Sequence, residues 1–249
     1  MKLINDQHAI KVQLPEPTTE GFMVLAAEVG RWAGPLPLPS RARRRLLDTA
    51  AVLCEKLTLR ADVVEAVVFG GALRPPGEGA ELLRHAGVRP ARYDVVVLVR
   101  TTAVDAIDDV RADPVFRRLV TQLQAARRTH LVAAENAARI ADVDHSGDHW
   151  FLFNYFRCDD AATVYDVWEY TAGWFQRSTA LPDSTLMRPR SGEPADYSVI
   201  NHASWPTLRT FLPSLLFRPT FRSFVLANFK ANGVAAQPII YRRVEATTA

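Results

Sequence analysis

The sequence predicts an α+β fold built from two βαββαβ units in tandem, packed sheet against sheet into one barrel. The first observation behind this is a repeat. Ala72-Leu73-Arg74-Pro75 is followed by a glycine-rich turn and then by Tyr93-Asp94-Val95-Val96-Val97. Leu186-Met187-Arg188-Pro189 is followed by Ser191-Gly192 and then by Tyr197-Ser198-Val199-Ile200-Asn201. Downstream of each tyrosine comes a Pro-x-Phe-Arg step at near-equal distance: 116 − 93 = 23 from Tyr93 to Phe116, and 221 − 197 = 24 from Tyr197 to Phe221. A period of about 100 residues is too long for a solenoid and fits a doubled domain. The second observation is the order of strand and helix signals in the second half, the split-βαβ arrangement of ferredoxin-like units. Such a sheet carries helices on one face and leaves the other bare, so two units bury most by packing sheet on sheet. The expected division is 1–148 for a degenerate, structural first unit and 149–249 for a second unit that carries the site.

In the first half, residues 22–30 read as a strand and 31–39 (RWAGPLPLP) as a proline-rich loop. Ser40 caps a helix over 40–59, whose opening arginines, Arg41 to Arg45, form a solvated face rather than an anion site. Residues 62–73 and 93–100 are strands, 104–127 a helix, and 129–142 a weak last element. In the second half, the aromatic alternation of 149–158 (HWFLFNYFRC) marks a strand. Asp159 and Asp160 offer cap oxygens for a helix over 161–178, in which Val164, Val167, Trp168, Thr171, Trp174 and Phe175 fall at the spacing of a buried stripe. Strands follow at 184–188 and 197–204. Pro206 suits the first turn of a helix that runs to about residue 231, with an interruption near Pro219 and closure at Asn232-Gly233. Residues 237–244 form the last strand.

Composition narrows the function. Hydrophobic residues make up 48% and charged residues 23% of the chain, as in an ordinary globular protein. No apolar run is long enough to span a membrane, and residues 1–10 lack a signal-peptide core, so the expected location is cytoplasmic. The net charge of +3 comes from arginines scattered among acids, which excludes a nucleic-acid stripe. Cys54 and Cys158 have neither disulfide nor zinc spacing. His145 and His149 flank Ser146-Gly147-Asp148 and read as a solvated turn rather than a metal site.

Leu152-Phe153-Asn154-Tyr155, Leu186-Met187-Arg188-Pro189, the run from Tyr197 to Trp205 and the Arg218–Arg222 step together resemble the antibiotic-biosynthesis monooxygenases of the dimeric α+β barrel superfamily. That resemblance covers about 95 residues of the second half. It implies a barrel normally made by two chains but supplied here by one, in a monomer or a homodimer. It implies no cofactor, a small aromatic, polyketide-like substrate, and O₂. It also places Asn154 and Trp205 in the ligand pocket. The haem-degrading branch carries a histidine on the second helix, and residues 221–230 (FRSFVLANFK) have none.

Cofactor-free oxygenation needs an apolar pocket with donors where negative charge develops. Asn154 offers an amide, Trp205 an indole N–H and a flat surface, and His202 an imidazole suited to proton abstraction. Phe156, Trp168, Tyr170, Trp174 and Phe175 are the expected aromatic wall. Each has a plainer role beside it: Asn154 a hydrogen-bonded structural amide, Trp205 a packing residue at the helix entry, His202 a strand histidine, the tryptophan stripe core. Two other classes are a haem enzyme of doubled ferredoxin-like type and a barrel that binds without catalysis.

Overall fold

The computed structural model describes residues 1–246. The last three residues of the expected second unit lie outside them. Ten strands form in chain order: β1 (Gly21–Glu28), β2 (Trp32–Ala33), β3 (Leu36–Pro37), β4 (Val63–Leu73), β5 (Val95–Thr101), β6 (Arg128–Ala141), β7 (Trp150–Arg157), β8 (Asp183–Pro189), β9 (Val199–Trp205) and β10 (Ala235–Val244). The helices are α1 (Arg41–Thr58), α2 (Ala80–His85), α3 (Ala106–Ala112), α4 (Pro114–Gln124), α5 (Ala161–Thr179), α6 (Leu208–Phe217) and α7 (Ala227–Ala231), with a π-helical turn over Phe221–Leu226.

Eight strands close a barrel in the order β1-β5-β4-β10-β7-β9-β8-β6. Read by halves, this is β6-β1-β5-β4 followed by β10-β7-β9-β8, the same fourth-first-third-second order twice, so each half is a ferredoxin-like βαββαβ unit. The two sheets do more than face each other. They join edge to edge, β4 to β10 through pairs such as Val68↔Val244, and β6 to β8 through pairs such as Ala134↔Pro189. Closure leaves this sheet no free edge, within one chain.

The caps act where the sequence places them. Ser40 Oγ accepts from Arg43 N at 3.2 Å, and Asp160 Oδ1 accepts from Ala162 N at 3.0 Å. Four elements differ from expectation. The helix over 104–127 is two helices, because Asp113 is extended, caps α4 through Val115 N at 2.7 Å, and precedes Pro114 at the first helical position. The weak last element of the first half is a 14-residue strand, held on both sides by β1 and β8. The proline-rich loop holds the short β2–β3 ladder, and α2 lies between β4 and β5 where only a turn was expected. The break near Pro219 is present: α6 ends at Phe217 and the chain resumes as the π-helical turn.

Residues 1–18 cross from the first half onto the helices of the second as a strap. Ile4 N–H donates to Asn228 Oδ1 at 2.9 Å, and Val12 N–H donates to Glu169 O at 3.2 Å. Gly173 on α5 permits this approach, since a Cβ there would sit 1.9 Å from Ile10 O. No helix among the described residues is long and apolar enough to cross a membrane.

Candidate functional site

Strand alternation divides the second half into two faces. Phe151, Phe153 and Tyr155 of β7 point into the barrel lumen, with Ile200 of β9 and Ile239 and Tyr241 of β10. Leu152 and Phe156 of β7 and Val199 and Trp205 of β9 point outward, under α5 and the later helices. Asn154 shares the outward parity and pairs across the strands with Asn201 and Pro238.

Asn154 and Trp205 therefore share a face but are not neighbours, since Trp205 pairs with Trp150, four positions along β7 from Asn154, and His202 lies on the other face. It is three residues from Trp205 on an extended strand, and an odd spacing reverses the side. Its ring stacks on Phe153 in the lumen with centroids 4.1 Å apart. Both nitrogens are engaged, Nδ1 with Leu152 O at 2.9 Å and Nε2 with His145 Nε2 at 2.8 Å. Burial, reinforced by His145, holds the His202 pKa well below the ordinary histidine value. The structure does not bring the imidazole, the amide and the indole together.

On the outward face the polar groups differ in how well they are matched. Asn201 Oδ1 accepts from Trp168 Nε1 at 3.1 Å and from Ser184 Oγ at 2.7 Å. Trp205 is 2% exposed, and its Nε1 donates to Thr179 Oγ1 at 3.1 Å. Trp174 Nε1 donates to Thr220 Oγ1 at 3.0 Å. Asn154 Oδ1, by contrast, is buried and has no partner among the described residues. A buried amide oxygen left bare costs about 1–3 kcal/mol, so it is the one polar group on this face that asks for something further.

The expected aromatic wall is a packed layer. Phe156, Trp168 and Trp174 are buried in one cluster, and Phe175 also packs against the cluster that holds Trp205. Tyr170 stands at the rim, half-buried, with Lys11 of the strap over its ring. In the first half, an apolar cleft of about 400 Å³ beside α4 is lined by Met23, Leu25, Phe116, Val120 and Leu131, with Arg111 and Arg117 its only charged groups.

Sequence reasoning missed two residues. Asn201 has the parity of Trp205, a signal that was available. His145 was expected in a solvated turn, and the flanking Asp144 and Asp148 are indeed exposed. His145 itself is buried, because the β6–β7 linker folds back into the lumen and puts Nδ1 2.9 Å from Glu65 Oε2. Nothing local in the sequence marks that contact.

No protein-family model matches the chain, and no curated protein is similar to it in sequence. Its fold is shared with solved structures. An anthrone oxidase-like protein superposes with a TM-score of 0.63 at 8% identity, over 92% of this chain and 94% of that one. A candidate monooxygenase from Fusobacterium nucleatum gives 0.56 at 6% identity, over 93% and 97%. A candidate chlorite dismutase gives 0.50 at 11% identity, over 92% and 96%. At such identities the likeness is one of fold. On the haem alternative weighed from the sequence, α5, α6, the π-helical turn and α7 carry no histidine that could ligate iron.

Proposed function

We propose that the chain is a cofactor-independent monooxygenase of a small aromatic, polyketide-like molecule, bound on the outward face of the second half. The observation that carries this is the unpartnered Oδ1 of Asn154 beneath an aromatic layer. An amide there can accept from a phenolic O–H through Oδ1 and donate to a developing oxyanion through Nδ2. Trp205, Phe156, Trp168, Tyr170, Trp174 and Phe175 supply the flat apolar wall that such a ring system requires. The chemistry balances without a reductant: a substrate methylene loses a proton, the carbanion passes one electron to O₂, the radicals combine, and loss of water leaves a carbonyl. His202 faces the lumen with both nitrogens engaged, so deprotonation on this face falls to solvent, and the rate should rise with pH without a histidine inflection.

The test is O₂ consumption with an anthrone-type substrate in the absence of flavin and metal. Uptake matched to carbonyl product supports the reading. A second reading, a barrel that binds without catalysis, is supported by the completeness of the packing, since Trp168, Trp174 and Trp205 all donate to protein oxygens. Absence of O₂ uptake, with the aromatic molecule still bound, would establish that second reading.

A further inference from the structure

The lumen holds a chain of hydrogen bonds whose protons can be counted. Leu152 O is a carbonyl and can only accept, so His202 Nδ1, at 2.9 Å, carries a hydrogen. Glu65 Oε2 lies 2.9 Å from His145 Nδ1, and the carboxylate accepts there. If both imidazoles were neutral, each would then present a bare Nε2, and the two lone pairs would meet at 2.8 Å. That arrangement is repulsive in a buried, apolar setting lined by Phe69, Phe151 and Phe153. The one neutral arrangement that avoids it needs a protonated Glu65 donating to His145 Nδ1, and Arg100 at 3.4 Å from Glu65 Oε1 opposes that, so a cation lies between the rings.

The N···N distance decides which cation. Two imidazole nitrogens bound tetrahedrally to zinc at about 2.0–2.1 Å stand about 3.3 Å apart, well beyond the separation found here. An N–H···N hydrogen bond fits it. No group of three or more His, Cys, Asp or Glu among the described residues is placed to hold a metal ion.

We propose that His145 and His202 share one proton, held on His145 and accepted by His202, and that this proton latches the β6–β7 linker across both halves of the barrel. Glu65 comes from β4 of the first half and His202 from β9 of the second, so the latch adds a hydrogen-bonded link through His145 to elements that otherwise touch through the Phe69 ring against His202. Glu65 is the counter-charge. Burial pushes its pKa up, but the hydrogen bond and the charge of His145 outweigh that and bring it below the usual carboxylate value. The neutrality of His202 follows from its burial.

Other charges face the chain from every side. Arg100 of β5 lies 3.4 Å from Glu65 Oε1 and 3.6 Å from Glu20 Oε2, ahead of β1. Asp142 and Asp144 flank it on the linker, with His149 beyond, and Asp183 of β8 binds Ser204 next to His202. Raising the pH until the shared proton leaves restores the clash of lone pairs and frees the linker. The chain ends at a carbonyl that cannot pass a proton on, which makes it a latch and not a conduit. None of this depends on the oxygenase reading, which concerns the opposite face of the sheet.

The experiment is nitrogen NMR of the wild-type protein labelled in its histidines, followed across pH. The expected spectrum shows Nδ1–H on both rings and a single Nε2 hydrogen with coupling across the bond to the other Nε2. The signal should vanish reversibly as pH rises, and amide exchange in residues 143–149 should quicken at the same midpoint. Glu65→Gln keeps an acceptor but removes the counter-charge, and should make the signal vanish at lower pH than in the wild-type protein. A bare Nδ1 on either ring would overturn the proposal. So would stoichiometric zinc or copper in the isolated protein with both Nε2 atoms bound to it.

Discussion

Between the first sheet and its helices lie Met23, Leu25, Val95, Val97, Val99, Leu53, Leu57, Leu119 and Leu123, an almost wholly aliphatic layer. Between the second sheet and its helices lie Trp168, Trp174, Trp205 and Phe156, threaded by Asn154, Asn201, Ser184 and Thr179. The strand order is identical in the two halves, so the fold does not require polar groups in that layer. The first half buries Thr101 at the end of its layer, bonded to Ala103 O, and the linked set of Trp168, Asn201 and Ser184 occurs in the second half alone, a property of that half's sequence. It is the reason to look for a site there.

Exchanging the two layers' character is the largest test of the contrast. Leu25 is 3% exposed on β1 among aliphatic neighbours, and Leu25→Asn should lower unfolding free energy by about 4 kcal/mol, the loss of a buried leucine plus an unmatched amide. The reverse exchange, Asn154→Leu, removes an unmatched oxygen and should raise it by about 1 kcal/mol. Denaturant titration measures both. A stabilised Asn154→Leu protein that has lost O₂ uptake would show stability given up for function. Equal losses in both variants would mean that the layers are equivalent.

Next in size is the amide's contribution to turnover. If Nδ2 of Asn154 stabilises the oxyanion, Asn154→Ala should lower kcat by about 10²–10³ and leave substrate binding nearly unchanged, since the interaction strengthens only in the transition state. Steady-state O₂ uptake gives the split. Unchanged turnover would return Asn154 to a structural role.

The two mouths of the lumen offer a second contrast. At one, His145 and His202 are hydrogen-bonded throughout. At the other, His130 sits among Tyr93, Tyr155 and Tyr197 with no partner for Nε2 among the described residues. Burial lowers its pKa to about 4. An unfolded histidine takes up its proton below about 6.5, while the folded His130 refuses it until about 4, so stability is full above the first value and falls toward the second. The loss across that window is about 3 kcal/mol, and His130→Phe should flatten the curve there. Chemical unfolding at several pH values checks the sign and the size.

How far the sequence foretold all this depended on the range of the signal. Ser40 and Asp160 mark their helices by bonds to residues two or three along, and both were readable. The break at Asp113-Pro114 was equally local and could have been read from the same chemistry. The side to which His202 points follows from parity with Trp205, which counting would have supplied. The length of β6 was hidden because its alternation is blurred where both faces are covered, Val132 and Ala134 by the lumen and Leu131 and Ala133 by the helices. His145 meeting Glu65, 80 positions away, and the strap meeting α5 depend on closure of the whole barrel, and no local pattern carries them.

The smallest effect concerns Trp205, which sits between the layer's structural and functional readings. Its indole packs on Phe211 with centroids 4.6 Å apart and donates one hydrogen bond to Thr179 Oγ1. Thr179 Oγ1 already donates to Phe175 O at 2.6 Å, so removing the indole N–H leaves no donor stranded. Trp205→Phe keeps most of the apolar contact and loses that one bond, which should cost about 1 kcal/mol of stability. A packing residue would show this loss with kcat and KM unchanged. A residue that stacks on the substrate would raise KM several-fold as well, because the flat surface offered to the ring has shrunk. Measuring both quantities on the one variant separates the readings, since only contact with substrate moves the second.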